Sequence, residues 1–311
     1  MLDGRPGHEK QTMGILFALQ QRCPIDIIPQ KVSRFSLMDE VMQTCRLFLP
    51  GATCGAPDWP DGKVDLVLGT GSRTHLPMLL YKKKYASPVV ICMSPPVHLR
   101  HLFDLCLVPE HDGVSASNNI LLTVGAPNCS IDKGVHQDKC GLILLGGVDD
   151  NSHRWDSRQI ATMVKEIVAA EADKIWTVSS SPRTPQETVA FITALLPLYA
   201  NIRFFDYKDT PAGWIERQYD RSSIVWVTAD SISMVYEAIS AGCRVGIMPV
   251  VWRRTTGKFS RNERLLVERK LVTPFAAWQQ DTTALAGPKE LNEAQRCATW
   301  ILERWWPENL Q

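Results

Sequence analysis

Val227–Pro249 reads VTADSISMVYEAISAGCRVGIMP. Ile224–Val227 is apolar and reads as a buried strand leading into it. Asp230 or Ser231 can cap the helix that follows, because a carboxylate or hydroxyl oxygen accepts hydrogen bonds from the free N–H groups of a first turn. Such N–H groups, here at Ser233 and Met234, attract phosphate when they are exposed. Glu237 falls inside the helix, where a carboxylate can accept from a ribose diol. Gly242 ends the helix and the chain enters another strand. The same residues also suit an ordinary capped strand–helix–strand unit with a solvated Glu237.

Working outward, the pattern repeats. CGLILLGGVDDNSHRW starts a strand at Cys140, and a helix follows over Asp156–Ala172. KIWTVSSSPRTP, a helix near Gln186–Leu196, NIRFFDY and a helix near Gly213–Arg221 lead into the opening stretch. Before the linker GAPNCSIDKGVHQDK stand VDLVLGTG, SPVVICMSPP, FDLCLVPEHD and NILLTVGAP, with helices over Thr12–Arg22 and His75–Tyr85. Short apolar runs that end in Gly, Pro or Asp are the mark of buried parallel strands with loops at their carboxyl ends. The expected fold class is α/β, with two doubly wound, Rossmann-like domains facing across a cleft. Residues 1–134 form an acceptor-side domain and 135–290 a nucleotide-sugar-binding domain. Residues 291–311 form an amphipathic helix, with Leu291, Ala294, Ala298, Ile301, Leu302 and Trp305 on one side, packing across both. Two such halves resemble the GT-B architecture of nucleotide-sugar glycosyltransferases and epimerases.

Composition narrows the function. The chain has 311 residues, enough for two domains, and a net charge of +1. That balance lacks the basic surplus of nucleic-acid binders. No apolar run approaches the ~20 residues of a membrane span, and the first residues lack the apolar core of a signal peptide. Nine cysteines lie without CxxC or Cys/His spacing, which fits a reducing cytoplasm. His98 and His101 have metal-ligand spacing but no third ligand, so no metal is expected.

Candidate site residues fall at strand ends. Gly146 and Gly147 let backbone approach a phosphate closely. Ser179, Ser180, Arg183 and Thr184 offer hydroxyls and a guanidinium to a diphosphate. With Asp230, Ser231, Ser233, Met234 and Glu237 they make the nucleotide-binding set. In the first half, DGRPGHEK contributes Gly4, Gly7 and His8. His8 can take a proton from an acceptor hydroxyl, as an unperturbed imidazole titrates close to neutral pH; bracing the loop is its plainer role. Arg73 and His75 can bind an anionic acceptor, and Glu110 or Asp112 can be the base in place of His8.

GRPGHEKQT, GTGSRTH, FDLCLVPEHD, NILLTVGAPN, SSSPRTP and VTADSISMVYEAISAG, in this order, resemble the mitochondrial fission ELM-type family, the plant elongated-mitochondria fission protein and its bacterial relatives. The resemblance covers nearly the whole chain. It implies the GT-B-like fold; bacterial members often carry an epimerase label by analogy, and the plant branch is associated with mitochondrial division and a dynamin-like partner. With no organelle-targeting extension, a bacterial protein is expected. In that family a full apolar strand precedes the opening loop, whereas only Met1 and Leu2 do so here, so either the native start lies upstream or the first strand is unusually short. The expected function is glycosyl transfer from a nucleoside-diphosphate sugar, bound as substrate and with no separate cofactor, to a cell-envelope glycolipid or saccharide. The expected location is the cytoplasm, peripheral at the inner membrane. The alternatives are a non-hydrolysing nucleotide-sugar epimerase and a non-catalytic scaffold.

Overall fold

A computed structural model describes residues 1–49 and 62–310. They form two compact units, Met1–Cys129 with the chain from Asn292 onward, and Ser130–Leu291. The boundary falls at residues 129/130, five residues before the one read from the linker.

The first unit runs α1 (Pro6–Gln20), α2 (Leu37–Phe48), β1 (Val67–Gly69), α3 (His75–Tyr85), β2 (Val89–Ile91), α4 (Val97–Arg100), β3 (Leu105–Pro109) and β4 (Ile120–Thr123). β1, β2, β3 and β4 pair in that order, all parallel. The opening residues extend the sheet beyond β1. The nitrogen of Met1 donates to the Leu68 carbonyl at 2.5 Å, and Leu2 bridges Lys31 in parallel. The sheet therefore reads 30–32, then 1–2, then β1 to β4, and the order reverses between Leu2 and β1.

Neighbouring residues of each strand serve opposite faces, as the two-residue period requires. Leu68, Val90 and Leu107 pack with Ile15, Ala18 and Leu19 of α1. Val67, Val89 and Val108 pack with Met78, Leu79 and Tyr81 of α3. Helices on both faces explain why these strands read as continuous apolar runs.

The second unit runs β5 (Gln137–Leu144), β6 (His153–Arg154), α5 (Ser157–Ala170), β7 (Ile175–Ser179), α6 (Gln186–Thr193), β8 (Ile202–Phe205), α7 (Trp214–Arg221), β9 (Ser222–Thr228), α8 (Ile232–Ser240), β10 (Arg244–Met248), β11 (Val251–Trp252), α9 (Lys258–Glu268), β12 (Thr273–Pro274) and α10 (Phe275–Gln280). Its sheet has the order β12-β10-β9-β5-β7-β8, all parallel, and β6 and β11 form a separate antiparallel ribbon. The order reverses between β5 and β9. In open α/β sheets, ligands bind beyond the strand carboxyl ends at such a reversal. Asp156 caps α5, accepting from the Gln159 N–H at 2.9 Å. The helix buries Ile160, Met163, Val164, Ile167 and Val168 against Trp176 and Trp226.

The chain then returns to the first unit as α11 (Glu293–Trp305). Ala294, Cys297, Ala298, Ile301 and Leu302 join the core that holds Ile15, Ala18 and Leu19 of α1. Small residues at 294, 297 and 298 let the two helices approach closely. The final helix is thus a part of the first unit's core. Among the described residues, no helix is long and apolar enough to cross a membrane.

Candidate functional site

In the second unit, the loops after β5, β7 and β9 are tied directly to one another. The Gly146 N–H donates to Thr228 Oγ1 at 2.7 Å and the Gly147 N–H to Asp230 Oδ2 at 3.1 Å. Ser181 Oγ and Thr184 Oγ1 both donate to the Gly146 carbonyl, at 2.7 and 2.5 Å. Arg183 donates through Nη2 to Asp230 Oδ2 at 2.8 Å and through Nη1 to the Gly147 carbonyl at 3.3 Å. His153, on β6, donates from Nε2 to that carbonyl at 3.0 Å, and its Nδ1 lies 2.7 Å from Ser152 Oγ, which donates to the Asp149 carboxylate at 3.0 Å.

These contacts revise several expectations. Gly146 and Gly147 spend their N–H groups within the protein. Their lack of a side chain serves loop packing: a Cβ on Gly147 would overlap the Arg183 carbonyl, and one on Gly146 the Asp230 carboxylate. Ser179 and Ser180 are buried. Ser179 Oγ donates to the Ser180 carbonyl, and Ser180 Oγ accepts from the Tyr207 N–H at 2.9 Å. Ser181 and Thr184 instead meet the glycine loop. Arg183 is paired with Asp230, although 42% of its side chain stays exposed.

Neither Asp230 nor Ser231 caps α8 with its side chain. The Asp230 carboxylate has turned to Gly147 and Arg183 instead. The first turn of α8, with Ser233 exposed and Met234 half-buried, therefore keeps its N–H groups open. The helix dipole adds roughly half a positive charge there, and the Arg183 guanidinium lies 3.4 Å from Ser231 Oγ.

Glu237 is buried, where a solvated carboxylate was the plain expectation. It lies beside the buried phenol of Tyr219 on α7, whose hydroxyl donates to the Met234 carbonyl at 3.4 Å. Burial, then the negative charge of Glu237, push the Tyr219 ionisation well above its ordinary range.

In the first unit, the opening residues build a dyad. Asp3 Oδ2 lies 2.8 Å from His8 Nδ1; the Asp3 side chain is 1% exposed and that of His8 26%. The other Asp3 oxygen accepts from the Arg5 N–H at 3.1 Å. A carboxylate at Nδ1 makes that nitrogen the donor, so neutral His8 carries its lone pair on Nε2. Pro6 starts α1, since its fixed φ and missing N–H suit a first helical position. Gly7 and His8 thus sit in the first helical turn and not in a loop. Gly4 takes a left-handed φ of +78°. Gly71, just after β1, has a φ of +105°, and a Cβ there would overlap the Asp3 carboxylate. The dyad stands where the strand order reverses, between Leu2 and β1. Arg73 Nη1 reaches the Asp3 carbonyl at 3.4 Å.

The other candidates of the first half lie elsewhere. His75 is buried with its ring edge-on to Phe103, and burial pushes its pKa down to about 4. It is a buried, neutral histidine of the first unit. Glu110 and Asp112 form a turn after β3. β2 separates β3 from β1, so that turn starts about 10 Å from the end of β1 at ordinary strand spacing. The structure brings Gly4, His8 and Arg73 to one end of the sheet, and Glu110 and Asp112 to another turn.

Sequence reasoning missed Asp3 as a partner of His8, and also Ser181, His153, Thr228 and Tyr219. The one available signal was an acid shortly before His8 at a strand end.

No curated protein matches the chain. Among solved structures it is similar to UDP-GlcNAc 2-epimerase from Neisseria meningitidis bound to UDP-GlcNAc, at 15% identity and a TM-score of 0.54, over 97% of each chain. It is similar to Acinetobacter baumannii MurG at 14% identity and a TM-score of 0.52, over 99% of this chain and 98% of that one. The Methanocaldococcus jannaschii UDP-GlcNAc 2-epimerase in complex with UDP-GlcNAc and UDP matches at 13% identity and a TM-score of 0.53, over 97% and 98%. At these identities the likeness shows the fold, which is GT-B-like, with two Rossmann-like α/β units. Many unrelated sequences share that fold; the narrower match is to the mitochondrial fission ELM1 family, which covers residues 6–305, and the chain belongs to it.

Proposed function

We propose that this protein is a glycosyltransferase that uses a nucleoside-diphosphate sugar. The observation that carries the proposal is the open first turn of α8 at the strand reversal, with Arg183 beside it. A diphosphate there accepts from the N–H groups of Ser233 and Met234 and meets the guanidinium. The similar solved structures, which include UDP-GlcNAc and UDP complexes, support a nucleotide sugar as the ligand class.

His8 is the base in this reading. Its Nε2 takes the proton of an acceptor hydroxyl while the acceptor oxygen bonds to the anomeric carbon. The bond from that carbon to the diphosphate oxygen breaks, and the negative charge passes to the departing diphosphate. Buried Asp3 fixes the tautomer and stabilises the imidazolium that forms. The acceptor is an envelope glycolipid or saccharide. Because Asp3 is committed to His8 and the Glu110–Asp112 turn lies apart from it, the first unit offers a histidine base more readily than the carboxylate pair of an epimerase.

The test is turnover of a nucleotide-sugar panel, with donor hydrolysis as the first readout, in wild type and in His8→Ala. The variant should keep nucleotide binding and lose ~10²–10⁴ in rate, the usual cost of losing a general base. Unchanged turnover in His8→Ala, beside loss in Glu110→Gln or Asp112→Asn, would move the base to the later turn. Interconversion of the sugar without transfer would establish an epimerase.

A further inference from the structure

Helix α2 is turned inside out. Leu37, Met38 and Val41 are 81%, 83% and 65% exposed, and Met42, Phe48 and Leu49 continue the same apolar face. The inner side carries Gln43, Thr44, Arg46 and Leu47, all half-buried. The helix is well made despite this. Ser36 caps it, accepting from the Asp39 N–H at 3.1 Å. Lys83 anchors its far end, donating to the carbonyls of Arg46 and Leu49. A folded helix does not ordinarily present its large apolar side chains to water and its polar ones to the core.

Two features say what covers that face. The first is size. A helix of this length is about 18 Å long and ~10 Å across, a footprint of ~200 Å² against the ~800 Å² that a stable protein–protein interface takes from each partner. The second is charge. Lys31 and Arg34 precede the helix, while Arg46 lies in its last turn and the Lys83 ammonium reaches the carbonyls of Arg46 and Leu49 there. The acids on the helix, Asp39 and Glu40, lie in its first turn, where the helix dipole offsets them. Apolar side chains flanked by cations suit the headgroup boundary of an anionic bilayer, into which such a helix sinks by about 5–10 Å.

We infer that α2 docks this protein on an anionic lipid surface, lying in the plane of the interface with Leu37, Met38, Val41, Met42 and Phe48 inserted. The inference is independent of the nucleotide-sugar reading, since it rests on the first unit alone.

The test is co-sedimentation of the full chain with vesicles of phosphatidylcholine alone and of phosphatidylcholine with phosphatidylglycerol, at low and high salt. Wild type should bind the anionic vesicles, release them as salt rises, and bind the neutral ones far more weakly. Met38→Ser with Val41→Ser should weaken binding about tenfold to a hundredfold. Because both side chains are exposed, the doubly substituted chain should melt as wild type does, which separates lost docking from lost folding. Three results overturn the inference. One is no binding to anionic vesicles at low salt. Another is equal binding to both vesicle types or by the doubly substituted chain. The third is a wild-type dimer in sedimentation that the substitutions dissolve, which would make a second copy the occupant.

Discussion

His75 makes a quantitative test of how the first unit is packed. Its ring is buried at the start of α3 against Phe103, and Nε2 has no hydrogen-bond partner among the described residues. Burial disfavours the imidazolium and moves the pKa from the ordinary 6.5 to about 4. A histidine whose folded-state pKa lies below its unfolded value destabilises the fold once it must be protonated. Stability is therefore complete above pH 6.5 and is lost as pH falls towards 4. At 1.36 kcal/mol per pH unit, the gap is worth about 3 kcal/mol. His75→Leu removes the titration while keeping an apolar contact with Phe103. Urea unfolding between pH 7.5 and 4.5, with hydrogen exchange in α3 to assign the transition to the first unit, should show the variant gaining most of that 3 kcal/mol on wild type as the pH drops. A difference that stays constant across the range would refute the buried neutral ring, and would reopen His75 as a group that faces a ligand.

Three further substitutions probe the packing behind the candidate sites. Gly71→Ala puts a Cβ into the Asp3 carboxylate at a left-handed φ, so it should cost about 1–3 kcal/mol of stability and separate Asp3 from His8; a variant that melts like wild type would refute the close approach. Glu237→Ala removes a buried carboxylate packed beside the Tyr219 phenol and should cost about 1–3 kcal/mol in thermal melting without ligand. Glu237→Gln, which keeps an acceptor, should cost less, and equal melting of all three proteins would return Glu237 to a solvated role.

Much of the fold could be read from residue patterns, for a physical reason. Strands buried on both faces are continuous apolar runs, so LILL before Gly146, IVWV before Thr228 and VGIM before Pro249 announced β5, β9 and β10. Strand order left no such mark. It is set by which strands pair across long crossovers, and it alone puts His8 beside Gly71 and Gly146 beside Thr228. The serines show a finer limit. Ser180 and Ser181 lie past the end of β7, so the turn and not the strand period decides which hydroxyl is locked locally and which meets the glycine loop. Asp230 sits in the loop where the sequence puts a helix cap, but its side chain does not cap α8. An acid before a helix is ordinarily a cap, and only Arg183, distant in sequence, shows why its carboxylate turns away. α2 escaped notice because its apolar residues face outward, so a pattern that normally reports core reports surface here.

Binding of nucleoside diphosphates to the wild-type chain decides whether the open turn of α8 is a diphosphate site. UDP, GDP, CDP and dTDP should be titrated by thermal shift, each beside its monophosphate and its nucleoside. At least one diphosphate should stabilise the protein saturably, by about 2.7 kcal/mol at 100 times its Kd. The matching monophosphate should bind more weakly, and the nucleoside weakest of all, because the phosphates meet the N–H groups of Ser233 and Met234 and the Arg183 guanidinium. Absence of saturable stabilisation by any of the four diphosphates, or equal binding of a diphosphate and its nucleoside, would contradict the diphosphate site and with it the transferase reading.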